Sequence, residues 1–154
     1  MKLFFASLLF IACTAATAKT NEVMNNDNPD VAKAKTIYDF SIKSLDGGTI
    51  DFSQFKGKKI LIVNTASMCG FTPQYKALEA LYEAHKDKLV IVGFPSDNFG
   101  GQEYKDDKDI KSFCQKNYGV TFPLTTRVDV KGDNTTPVYK YLCSKSENGV
   151  LDAT

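Results

Sequence analysis

Two continuous apolar runs constrain this chain more than any other feature. ILIVNTA begins at Ile60, and LVIVGFP spans 89–95. Neither run alternates with polar residues, which suits strands buried on both faces. Between them, TPQYKALEALYEAHK carries helical spacing. Leu78, Leu81, Tyr82 and His85 mark a face turned to a core. Thr72 is expected to cap this helix, with Pro73 at its first position, where the missing N–H costs nothing. Strand, helix and strand in this order imply a parallel pair.

The flanking segments extend the pattern. From Ile37 to Lys59 apolar and polar residues alternate on both sides of Asp46-Gly47-Gly48, which reads as a β-hairpin. DDKDIKSFCQKNYG reads as a helix closed by Gly119. LTTRVDVKGD reads as a strand running into a turn, and TPVYKYLCSK as a short helix with Pro137 at its start. The expected fold class is therefore α/β, a hairpin followed by βαβαβα with helices on both faces of a mostly parallel sheet.

The 154 residues suffice for one ordinary domain, and 43% of them are hydrophobic. That domain is expected over 36–154. Residues 1–18 read as a secretory signal peptide: Lys2, an apolar run from Leu3 to Ala12, then Ala16-Thr17-Ala18 as a small-x-small cleavage site. The run is too short for a comfortable membrane span. Residues 19–35 are polar and Asn/Asp-rich, a flexible linker. The expected location is exported, periplasmic or secreted. A second processing reading places Cys13 after FIA, as in a membrane-anchored lipoprotein. The whole sequence carries a formal charge of +1. Removing Lys2 with the leader leaves basic and acidic residues balanced, so no basic footprint points to nucleic acid.

The four cysteines are Cys13, Cys69, Cys114 and Cys143, and the sole histidine is His85. No C-x-x-C spacing supports a structural zinc site, and no cofactor is called for. His85, near the far end of the helix after Cys69, lies about 20 Å away and cannot pair with it; it reads as a surface or helix-end residue. Cys69 stands where a strand ends and a helix begins. The helix N-terminus directs free N–H groups toward it and favours a thiolate. A small buried residue at a strand end would look the same, so position alone leaves both readings open. Cys143, one turn from Tyr139, reads as a packing residue.

Four segments narrow the reading of Cys69. VNTASMCGFTPQYKALEALY, VGFPSDNFGGQE, FCQKNYGVTFP and DVKGDNTTPVYKYL occur in that order. Together they resemble the glutathione peroxidase family over about Ile37 to Gly149. The resemblance implies a thioredoxin-like fold and the reduction of hydrogen peroxide or organic (lipid) hydroperoxides in response to oxidative stress. It places Cys69 at the peroxidatic position, as a cysteine form. It also matches Gln102 to the family's active-site glutamine, whose amide can donate to thiolate and peroxide. Asn64 takes a supporting hydrogen-bond role. Cys114 matches the resolving cysteine of the subgroup that forms an intramolecular disulfide, here Cys69–Cys114. That subgroup is usually recycled by thioredoxin-type reductants rather than glutathione. As a free thiol Cys114 could equally be a core residue beside Ile110 and Phe113. The reduced fold is expected to keep the two thiols apart, so that the second helix must loosen locally. Short loops point to the monomeric branch.

Two departures qualify the likeness. Ser96-Asp97-Asn98 stands where Cys-Asn-Gln is usual. The family's tryptophan–asparagine segment is absent, because the sequence holds no tryptophan and ends before that segment is due. The final strands and C-terminal helix are expected to be missing with it, leaving a C-terminally incomplete domain that is unstable and weakly active alone. The alternatives to an enzyme are a non-enzymatic peroxide sensor signalling through Cys69 and Cys114, and an inactive truncated domain.

Overall fold

The computed structural model describes residues 35–149. The signal-peptide and lipoprotein readings, and nearly all of the linker, lie outside them. Strand β1 (Ser41–Lys43) pairs antiparallel with β2 (Thr49–Asp51), and β3 (Lys59–Thr65) pairs parallel with β4 (Leu89–Pro95). Helix α1 (Gln74–His85) connects β3 to β4; α2 (Asp107–Tyr118), α3 (Pro137–Cys143) and α4 (Lys145–Asn148) follow.

The hairpin forms where the glycines require it. Gly47 and Gly48 have φ of 93° and 72°, and the turn closes through Gly47 N–H to Ser44 O and Ser44 N–H to Gly48 O. It is shorter than the sequence suggests, because Ile37–Asp39 and Phe52–Phe55 wind into 3₁₀ turns instead of extending the strands.

β4 contributes to both hydrophobic cores of the described residues. Val90, Val92 and Phe94 face one side, with Phe40, Ile50, Phe52, Val130 and Val138. Ile91 faces the other, with Tyr75, Ile110, Cys114, Val120, Phe122 and Leu124. Alternating side chains thus serve two cores, which explains why every position of the run is apolar. α1 and α2 pack on the Ile91 side; α3 and the 3₁₀ turns lie on the Val92 side. Helices on both faces are as expected.

Four local expectations are corrected. β3 is half-buried or exposed along its length, because β4 is its single strand neighbour among the described residues. LTTRVDVKGD does not form a strand. Only Leu124 and Thr125 bridge, to Gly93 and Ser44 respectively. Beyond them, side chains claim the backbone donors: Asp107 accepts from Arg127 N–H, and Asn98 Oδ1 from Val130 N–H. The Leu124 approach needs Gly93, since a Cβ there would stand 2.5 Å from Leu124 Cδ2. The core-facing stripe of α1 is Tyr75–Leu78–Tyr82, with Tyr75 buried and the other two half-buried; Leu81 and His85, expected on that face, are exposed. Cys143 is exposed rather than packed. His85 ends α1 on the surface, which fits its reading as a helix-end residue and not the core-facing one.

Candidate active site

β3 and β4 end side by side, with Thr65 opposite Pro95. The chain leaves each end in a loop, and these two loops form the site. The first carries Cys69, the second Gln102.

The Cys69 loop is tied by its own threonine. Thr72 Oγ1 accepts from Cys69 N–H at 3.0 Å and donates to Ala66 O at 2.8 Å. With its hydroxyl used there, Thr72 does not cap α1. Pro73 takes the cap position, after successive i→i+3 bonds from Thr72, Gln74 and Tyr75 N–H. Cys69 is left half-buried and free, at the wall of a cavity of about 520 Å³.

The second loop turns through Gly100 and Gly101, whose φ of 84° and 67° suits glycine. Asn98 fastens it to the segment beyond Leu124. Its Oδ1 accepts from Val130 N–H at 2.7 Å, and its Nδ2 donates to Asp129 at 2.7 Å. Asp97 forms an ion pair with Arg127. The departure from the usual Cys-Asn-Gln thus supplies loop anchors in place of a thiol. Gln102 O accepts from Met68 N–H at 2.9 Å, which joins the two loops. Glu103 adds a second bond: its Oε1 accepts from Ser67 N–H at 3.2 Å and from Tyr104 N–H at 2.8 Å.

Cys69, Gln102 and Asn64 therefore line one cavity, as the sequence expects. The rest of its wall is mainly apolar and includes Phe71, Tyr75, Leu78 and Phe99. Phe71 is 74% exposed at the rim, a position that leaves it open to an apolar ligand.

Cys114 is not part of this cavity. It is fully buried on the inner face of α2, and no disulfide joins it to Cys69. Burial pushes its thiol up to about 11; the nearby Tyr75 hydroxyl offsets this and the Glu103 charge adds to it. Tyr75 stands between the two regions. It lines the Cys69 cavity and packs in the same core cluster as Cys114. Burial, then the Cys114 charge, pushes its hydroxyl far above the ordinary phenol range.

Comparison with known proteins decides the family. The glutathione peroxidase family model matches residues 37–143. The glutathione peroxidase-like peroxiredoxin gpx1 of Schizosaccharomyces pombe is 55% identical over 111 residues, 71% of this chain and 70% of that protein. The hydroperoxy fatty acid reductase gpx1 of Synechocystis sp. is 50% identical over 112 residues, covering 72% and 66%. The crystal structure of Trgpx in apo form superposes with a TM-score of 0.56 at 39% identity, over 77% of this chain and 69% of that one.

The chain belongs to the glutathione peroxidase family. It is a thiol peroxidase, an oxidoreductase acting on hydroperoxides, built on the family's mixed α/β thioredoxin-like fold. Among its described residues, no group of three or more His, Cys, Asp or Glu side chains could hold a metal, and no helix is long and apolar enough to cross a membrane.

Sequence reasoning missed three participants. Tyr75 was legible, since Tyr75, Leu78 and Tyr82 stand at i, i+3 and i+7 on α1. Asn98 and Glu103 lie in irregular loops, where no periodicity marks a residue as buried or anchoring.

Proposed function

We propose that Cys69 is the peroxidatic nucleophile and Cys114 its resolving partner. The Cys69 thiolate attacks the distal oxygen of a hydroperoxide. The S–O bond forms, the O–O bond breaks, and the leaving oxygen takes a proton to become an alcohol, or water from hydrogen peroxide. The Gln102 amide donates toward the oxygen on which charge develops, and Asn64 supports the same wall. The Cys114 thiol then attacks the sulfenic acid, forming the Cys69–Cys114 disulfide and releasing water. A thioredoxin-type dithiol, or glutathione, restores both thiols. The observation that carries this reading is the cavity holding Cys69 and Gln102 together, with Cys69 free and half-exposed.

The second step requires motion. Cys114 is wholly buried, and its carbonyl accepts the Val120 N–H that helps close α2 after Gly119. Loosening the last turn of α2 would release both the carbonyl and the thiol.

The apolar wall fits hydroperoxides with a hydrocarbon chain as well as hydrogen peroxide. We further propose that the protein is exported, acts in the response to oxidative stress and works as a monomer. Cell fractionation, survival of a deletion strain under peroxide, and sedimentation check these three points.

The decisive assay is peroxide consumption driven by a thioredoxin system or by glutathione. Wild type should turn over and Cys69→Ser should not. Equal consumption by Cys69→Ser would overturn the assignment. A thioredoxin-driven rate well above the glutathione rate, lost in Cys114→Ser, would support the resolving role.

A further inference from the structure

Glu103 is the sole acidic or basic residue buried among the described residues, at 3% exposure; the other buried polar side chains are hydroxyls. Removing a carboxyl from water is costly unless its oxygens are satisfied. Here only half is satisfied. Oε1 accepts two backbone N–H groups, while Oε2 and the buried Ser67 hydroxyl make no well-formed hydrogen bond, although Ser67 lies near enough to favour the charged carboxylate. A core selected for stability alone would exclude such a group.

Its two bonds explain its retention. Ser67 lies two residues before Cys69, and Glu103 follows Gln102. Ser67 N–H to Glu103 Oε1 and Met68 N–H to Gln102 O are adjacent links between the loops. One link alone would let the Gln102 segment pivot about it, particularly with Gly100 and Gly101 just before. Two links fix its angle. The backbone supplies the first, and the second needs a side chain of glutamate length.

We propose that Glu103 is a positioning residue that sets the placement of Gln102 relative to Cys69 for attack on the peroxide. This rests on the reading in which Cys69 and Gln102 carry that step. Glu103 acts through its Oε1 acceptor and not through its charge. A glutamine keeps that acceptor, and its amide N–H can serve the orphaned Ser67 hydroxyl. An aspartate is one methylene too short to span both N–H groups.

The test compares two reactions of Cys69 in the reduced full-length chain. Peroxide oxidation needs Gln102 in place; alkylation by iodoacetamide needs only an accessible thiolate. Glu103→Ala and Glu103→Asp should slow peroxide oxidation roughly tenfold or more, with alkylation within about threefold of wild type. Glu103→Gln should stay within about threefold in both reactions. If Glu103→Ala does not fold, as read from its thermal melt, Glu103→Asp carries the comparison. The proposal is overturned if both reactions slow in parallel, if Glu103→Asp oxidises like wild type, or if Glu103→Gln falls with Glu103→Ala. Failure of the underlying reading looks different: Cys69→Ser or Gln102→Ala would then consume peroxide at the wild-type rate.

Discussion

Cys69 and Cys114 occupy opposite surroundings in one small domain. Cys69 sits in a turn whose backbone is tied by Thr72, half-buried at the wall of a cavity. Cys114 sits inside a helix, fully buried among Tyr75, Ile91, Ile110 and Phe122. The first environment fixes the backbone and leaves the side chain open to small molecules. The second keeps the thiol neutral and admits nothing. Of these two thiols only Cys69 is open to a peroxide, and in the proposed mechanism Cys114 reacts once its helix end opens. The order of the two chemical steps follows from burial.

The largest test of this contrast is substitution of each thiol. Cys69→Ser should lower peroxide reactivity by roughly a thousandfold or more, since a serine hydroxyl is a far weaker nucleophile at its free pKa. Cys114→Ser should keep the first burst of one peroxide per chain and lose sustained turnover with thioredoxin. Stopped-flow burst amplitudes separate the two; a wild-type steady state in Cys114→Ser would break the contrast. Alkylation gives the next largest effect. Iodoacetamide should label Cys69 and the exposed Cys143 roughly a hundredfold faster than Cys114, whose reaction waits for local opening. Peptide mass mapping over time reads the order, and early labelling of Cys114 would mean that α2 is already open.

A third, smaller effect is on stability at alkaline pH. Burial raises Cys114 from its ordinary 9.0 to about 11 in the folded chain. A raised pKa favours the protonated form. Its stabilising contribution is complete below pH 9 and is lost as pH climbs toward 11. A two-unit shift corresponds to at most about 3 kcal/mol. Cys114→Ala should therefore lose less stability than wild type across that window, in denaturant melts taken at several pH values. Tyr139, also raised by burial, contributes equally to both proteins, whereas the Tyr75 shift draws in part on the Cys114 charge and is smaller in the variant. The smallest effect is expected for Thr72→Val. Losing the two Thr72 side-chain bonds should cost about 1 kcal/mol. It should alter Cys69 alkylation and leave the protection of Cys114 unchanged; a loss at both sites would mean that the two regions are not independent.

The same contrast shows what a sequence can disclose. β4, α2 with its Gly119 close, and the Gly47-Gly48 turn were legible because periodicity and glycine chemistry are local. So was the gathering of Cys69, Gln102 and Asn64, though through resemblance to the family and not through spacing. What escaped depends on long-range partners. Nothing near Thr72 reveals that Ala66 and Cys69 will occupy its hydroxyl. The segment after Leu124 has strand-like composition, yet its donors are taken by Asp107 and Asn98 from distant loops. Glu103 reads as an ordinary surface acid until Ser67 is brought against it.

The central claim is that peroxide oxidises Cys69 and that Cys114 then closes on it. Treating the fully reduced chain with one equivalent of hydroperoxide and analysing it by intact mass and non-reducing peptide mapping tests this most directly. The account predicts a product lacking two hydrogens, with Cys69 and Cys114 peptides joined and Cys143 still alkylatable. A disulfide through Cys143, or a Cys69 that survives as a reduced thiol, would contradict it.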